Sequence, residues 1–153
     1  MKKKILYLHG RGSKPGGTKP RYLETLGYEV LNPHLPDQSF EESVKIAQKI
    51  VDLENPDLVI GSSRGGAVAM SINSSAKKTI LICPAWKKFE VSPKNLSGVR
   101  ILHSEKDEIV PMADTVELVK NYAASLVSCG VNHRMIDKEA LSTLCFEISS
   151  VLS

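Results

Sequence analysis

Short, unbroken apolar runs alternate with longer segments of helical period along nearly the whole chain, and no other feature constrains the fold as strongly. Residues 4–8, 28–31, 57–60, 79–83, 99–102 and 125–129 read as six strands. Their hydrophobicity is continuous rather than alternating, as burial on both faces requires, and that is the pattern of a parallel sheet. The segments between them read as helices. Thr18 is expected to cap the first, with Pro20 in its opening turn and Gly27 at its end. Ser39-Phe40-Glu41-Glu42 is a capping box, in which Ser39 and Glu42 satisfy each other's backbone donors. Phe40, Val44, Ala47 and Val51 follow as one apolar stripe. Pro111 opens a helix over 111–122, and a last helix from about Asp137 is expected to turn Leu141, Leu144, Cys145, Ile148 and Leu152 to the core. The alternation predicts an α/β three-layer sandwich: a mainly parallel six-stranded sheet with helices on both faces.

With 153 residues the chain has room for one domain, 1–153, and no linker, repeat or low-complexity segment divides it. Lys+Arg 20 against Asp+Glu 17 gives a net charge of +3, too small an excess to imply a nucleic-acid partner. No apolar run approaches the ~20 residues of a membrane span. The run after Lys2, Lys3 and Lys4 is too short for the apolar core of an export signal. Cys83, Cys129 and Cys145 form no metal spacing, and their odd number argues against a disulfide framework. The expectation is a soluble, cytoplasmic protein without membrane or nucleic-acid partner, metal or cofactor. Its oligomeric state is not set by the sequence.

Right-handed crossovers put the strand-to-helix loops of such a sheet at the carboxyl ends of the strands, where ligands bind. Every reactive-looking residue here follows an expected strand. Gly61-Ser62-Ser63-Arg64-Gly65-Gly66 follows the third and opens a helix of small residues, the G-x-S-x-G form of a nucleophile elbow, with Ser63 as candidate nucleophile. A serine needs a base and a group to orient that base. Asp107 follows the fifth strand and His133 the sixth, with Glu105 and Asp114 as competing acids. Gly10 to Gly17 is glycine-rich but lacks the spacing of a phosphate loop, so no nucleotide cofactor is expected.

The order Ser63, Asp107, His133, together with Asp107-x-x-Val110-Pro111 and Asn132-His133, resembles the α/β-hydrolase superfamily over nearly the whole chain. His9-Gly10-Arg11 is similar to the oxyanion segment of that superfamily. The resemblance implies a Ser-His-Asp triad working through an acyl-enzyme, with the backbone N–H groups of Arg11 and Arg64 facing the oxyanion. Compared with larger members, the chain starts at what resembles their third strand, and only residues 84–98 stand where they often carry a cap. That implies a minimal, lidless fold of the small bacterial serine-esterase type, acting on a small-molecule ester or related acyl compound. A thioesterase or small peptidase uses the same triad, and a ligand-binding protein without turnover can keep the same fold.

Side chains outside the triad have two readings each. Arg11 and Arg64, with Lys14, Lys19 and Arg21, either make a basic rim for an anionic substrate, or Arg64 pairs with a carboxylate and Lys14 and Lys19 are merely solvated. Trp86 either lines the pocket or covers the sheet edge; with Arg11 and Arg64 it is a candidate substrate-binding residue. His9 and His103 are expected to be structural, His34 exposed and Cys83 a packing residue.

Overall fold

A computed structural model describes residues 1–74 and 78–153. Six parallel strands, β1 (Lys4–Leu8), β2 (Glu29–Leu31), β3 (Leu58–Ser62), β4 (Lys78–Ile82), β5 (Arg100–His103) and β6 (Ser125–Ser128), form one sheet in the order β2-β1-β3-β4-β5-β6. Ile5 of β1 sits between Val30 of β2 and Leu58 of β3, which fixes the register of the centre. Among the described residues four helices connect strands, α1 (Thr18–Thr25), α2 (Phe40–Glu54), α3 (Arg64–Ser71) and α4 (Met112–Tyr122), and a fifth, α5 (Lys138–Leu152), follows β6. None is long and apolar enough to cross a membrane.

Successive residues of a strand point to opposite faces, and the two faces carry separate cores. Leu6, Leu8, Val59, Leu81 and Ile101 pack with Ala47 and Val51 of α2, Val68 of α3 and Leu118 of α4. Ile5, Tyr7, Leu58, Ile60, Ile80 and Leu102 pack with Leu23 of α1 and Leu144 and Ile148 of α5. Both faces are therefore buried, which is why the strands read as continuous apolar runs. Each fully buried Leu or Ile contributes about 1.5–3 kcal/mol relative to exposure.

The sheet's chain order also places the site. From β1 the chain moves outward to β2, then returns across β1 to β3 and proceeds the other way. The loops leaving β1 and β3 thus diverge to opposite faces, and the crevice between them is the switch point where ligands bind in open α/β sheets.

Several local expectations need correcting. Gly17, not Thr18, holds the N-cap of α1, and no side chain caps it. Pro111 is the N-cap of α4 rather than its first residue. In α2 the Ser39 hydroxyl accepts from the Glu42 N–H at 3.0 Å, the first half of the expected capping box. Along α5 the buried positions are Ala140, Leu144, Glu147 and Ile148, with Leu141, Cys145 and Leu152 only partly covered. Glu147 enters this face because Arg100 of β5 reaches it at 3.0 Å, and a paired carboxylate tolerates burial that a lone one does not.

Candidate active site

The turn after β3 is the most constrained segment of the chain. Ser63 has φ 56° and ψ −115°, a conformation costing about 1–3 kcal/mol for a residue with a side chain. Four hydrogen bonds hold it there. Its N–H donates to Ile82 O at 2.8 Å, and its carbonyl accepts from Gly66, Ala67 and Ala85 at 2.9, 3.2 and 3.0 Å. The glycines are steric necessities. A Cβ on Gly61 would lie 2.3 Å from Gly65 O, and one on Gly65 would lie 2.0 Å from Leu8 O. On Gly66 it would meet Pro84 at 2.9 Å. With hydrogen atoms alone in those places, α3 packs directly on β1 and Ser63 stands at its N-terminal end.

His133 and Asp107 complete a line from this serine. His133 Nε2 is 2.9 Å from Ser63 Oγ, and its Nδ1 is 2.7 Å from Asp107 Oδ2. A carboxylate only accepts, so Nδ1 carries the ring proton and the Nε2 lone pair is turned toward the Ser63 hydroxyl. The Asp107 side chain is fully enclosed. Its Oδ1 accepts from the N–H groups of Ile109 and Val110, both at 2.8 Å. Burial works against the charged carboxyl, yet the hydrogen bonds from His133, Val110, Ile109 and the Cys83 thiol together hold its pKa below the usual value.

Of the competing acids, Glu105 is exposed and Asp114 lies 3.6 Å from Lys87. Neither has a hydrogen bond or ion pair with His133 among the described residues.

The loop after β1 lies beside the serine. A Cβ on Gly10 would come within 3.3 Å of Ser63 Cβ, so the backbone leading to Arg11 passes against Ser63. His9 braces this loop from below, with Nε2 accepting from Leu35 N–H and Nδ1 donating to Gly10 O, both at 2.9 Å. Gly12 N–H is held by the Asp37 carboxylate, at 3.1 Å to one oxygen. The backbone N–H groups of Arg11 and Arg64 have no acceptor among the described residues, as the first turn of a helix leaves them in the case of Arg64.

A cavity of about 700 Å³ opens over these groups, walled by Ser63, His133 and Tyr7 together with Arg11, Ala85 and Phe89 among others. Trp86 is not in its wall. The ring is 7% exposed within the core, and its indole N–H donates to Asp114 O at 3.0 Å, so the substrate-contact reading of Trp86 is corrected. Arg21 is also outside the wall.

Arg64 fits neither of its expected readings. Its side chain is 1% exposed, so it is no surface rim, and it forms no ion pair with a carboxylate among the described residues. Instead Nη2 donates to Pro36 O at 2.9 Å, and the guanidinium lies 5.7 and 5.6 Å from the ring centres of Phe40 and Phe89. Nη1 is buried with no hydrogen-bond partner among the described residues. Burial lowers its pKa, an effect that nearby Asp37 opposes and Arg11 reinforces.

Three residues that sequence reasoning left outside the line Ser63, His133, Asp107 touch Asp107 or the loop that carries His133. His103 is completely buried; Nε2 donates to Val110 O at 2.9 Å and lies 3.2 Å from Asp107 Oδ2, while Nδ1 is 2.7 Å from Thr115 Oγ1. Lys19, from α1, donates to Arg134 O at 2.6 Å and so ties down the loop carrying His133. Burial pulls its ammonium down to about 8, with Cys83 opposing the fall and Arg134 adding to it. The ligand atoms of Cys83, His103 and Asp107 lie within 4.8 Å of one another. They do not suit a metal ion: both His103 nitrogens are engaged, and burial pushes the Cys83 thiol well up, whereas a metal needs a thiolate. Both Cys83 and His103 stand at or just beyond a strand's carboxyl end, the only signal in the sequence that they would meet Asp107.

No family model matches the sequence, and no curated protein matches it either. Solved structures do. A hydrolase of the alpha/beta superfamily from Xanthomonas campestris superposes with a TM-score of 0.81, covering 98% of this chain and 99% of its own at 19% identity. The chain has the α/β-hydrolase fold. Mouse alpha/beta hydrolase domain-containing protein 10 shares that fold at TM-score 0.77 and 17% identity, over 97% of this chain and 89% of the other. An esterase domain from a Rhodothermus marinus protein matches at TM-score 0.65 and 21% identity, over 97% and 84%. The shared fold extends over most of the length of all three neighbours as well as of this chain. Between β4 and β5 it carries a short connection, residues 83–99, in place of an inserted domain.

Proposed function

We propose that the chain is a serine hydrolase that cleaves carboxylic esters through an acyl-enzyme on Ser63. The observation that carries this reading is the unbroken hydrogen-bonded line Ser63 Oγ, His133, Asp107, opening into a cavity beside two unused backbone donors. A structural histidine has no need of a strained serine at one nitrogen and an enclosed carboxylate at the other.

The chemistry follows from that line. As Ser63 Oγ attacks the acyl carbon, its proton passes to His133 Nε2, and Asp107 stabilises the imidazolium through Nδ1–H. Charge then develops on the former carbonyl oxygen. The N–H groups of Arg11 and Arg64 are the donors assigned to it, with the N-terminus of α3 adding its dipole. His133 returns the proton to the departing alcohol, and a water molecule activated by the same nitrogen releases the acid. Hydrolase and esterase descriptions among proteins of the same fold support the reaction class. Three free cysteines support a reducing, cytoplasmic setting.

Ser63→Ala tests the reading. Hydrolysis of 4-nitrophenyl acetate should fall by roughly four to six orders of magnitude with the circular dichroism spectrum unchanged. Retention of the wild-type rate would remove Ser63 from the chemistry.

A further inference from the structure

The cavity wall is charged far out of proportion to the chain. Overall, Lys+Arg number 20 and Asp+Glu 17, so a wall drawn evenly would hold acids and bases in near-equal number. It holds Arg11, Lys14, Lys19, Arg64, Lys88 and Arg134 against one carboxylate, Asp114. That carboxylate is already matched by Lys87, 3.6 Å away.

Two of the cations are committed to backbone carbonyls, Lys19 to Arg134 O and Arg64 to Pro36 O, and a carbonyl leaves their charge unneutralised. The remaining four, Arg11, Lys14, Lys88 and Arg134, are exposed and have no ion pair or side-chain hydrogen bond among the described residues. Single unpaired surface cations are ordinary. Four converging on one concave wall, around a buried guanidinium whose Nη1 has no hydrogen-bond partner among the described residues, repel one another, and the nearby carboxylates of Asp114, already matched by Lys87, and of Asp37, which offsets Arg64 in part, leave the wall with a positive excess. A concave wall of one sign focuses its field on whatever enters.

We propose that the cavity takes an ester carrying a separate anionic group, a carboxylate or phosphate, which the side chains of Arg11, Lys14 and Lys88 hold while the ester carbonyl reaches Ser63. The proposal rests on the hydrolase reading and gives it a substrate class. A neutral ester leaves the repulsion in place; an anionic one relieves it on binding. Arg11 then serves twice, through its backbone N–H at the oxyanion and through its side chain at the anion.

The test uses two esters of the same shape, mono-4-nitrophenyl glutarate and its neutral methyl ester, titrated calorimetrically into Ser63→Ala protein so that binding is read without turnover. The anionic ester should bind about tenfold more tightly at low salt, and the advantage should shrink as ionic strength rises to about 0.5 M. In a Lys14→Gln/Lys88→Gln variant the two affinities should converge; both positions are exposed, and the circular dichroism spectrum checks the fold. Competition by inorganic phosphate in the same titration separates a phosphate-holding wall from a carboxylate-holding one, and either result supports the proposal. Equal affinities for the two esters overturn it. Wild-type turnover of both esters, measured in parallel, keeps the two claims apart. Turnover without anion preference sinks the substrate class alone, whereas anion-selective binding without turnover sinks the hydrolase reading and leaves the anion site standing.

Discussion

At the scale of single residues, Asp107 does more than any other side chain to define the site. It receives hydrogen bonds from His133, Ile109 and Val110, and His103 lies against the same oxygen that His133 uses. Asp107→Asn offers an amide where the ring needs an acceptor, so His133 is turned to the wrong tautomer. Ester hydrolysis should fall about 10⁴-fold while the protein stays folded, measured as kcat/KM on 4-nitrophenyl acetate. The same carboxylate has a signature in stability. Its folded-state pKa is depressed, so its stabilisation is complete above the unfolded-state value of about 4 and is lost as pH falls through the folded value. The urea midpoint of wild type relative to Asp107→Asn should therefore hold steady near neutrality and narrow in acid. The meeting of Ser63, Asp107 and His133 was legible in the sequence because Ser63 stands in a strand-turn-helix pattern that backbone sterics enforce, and because Asp107 and His133 follow later strands in the order the superfamily resemblance implies. Arg64 and Trp86 were not. Which way a long side chain turns depends on neighbours distant in sequence, here Pro36, Phe40 and Phe89 for Arg64 and Asp114 for Trp86.

Elements position these residues through backbone contact more than through side chains. The N-terminal half of α3 lies so close to β1 that only glycine fits at position 65, where a Cβ meets Leu8 O at 2.0 Å, Leu8 C at 2.5 Å and His9 O at 2.7 Å. All three are backbone atoms, which cannot step aside as a side chain can. Gly65→Ala should cost roughly 2–3 kcal/mol in urea denaturation, and it should reduce ester hydrolysis further by shifting Ser63 away from the Gly10–Arg11 loop. Gly12→Ala makes the contrast. No atom lies within 4 Å of its added Cβ, so only its φ of +72° opposes the change, at about 1 kcal/mol. The four inner strands were readable from apolar continuity, since both sheet faces cover them, whereas the expected strands β2 and β6 lie at the edges and are only partly buried. The core-facing side of α5 was misjudged in part, because no local pattern reveals that Arg100 of β5 makes Glu147 a tolerable core residue.

On the scale of the whole molecule, one topological fact gathers the chemistry: the chain reverses its direction of sheet growth between β1 and β3. Gly10 and Arg11 leave β1 and Ser63 leaves β3, so the proposed nucleophile and the loop proposed to hold the oxyanion meet at the switch point. Asp107 and His133 arrive from β5 and β6 along the same carboxyl edge. Residues 83–99, the connection between β4 and β5, are too few to form a domain of their own over the cavity, which fits the small or exposed ester of the proposal. The central claim is that this geometry makes Ser63 a reactive nucleophile through His133. A fluorophosphonate probe, which reacts only with an activated serine, measures that directly when the adduct is mapped by mass spectrometry in wild type and in His133→Ala. Stoichiometric labelling at Ser63 that disappears in His133→Ala is the result the account predicts; a folded wild type that stays unlabelled, or that labels at Ser63 equally well without His133, contradicts it.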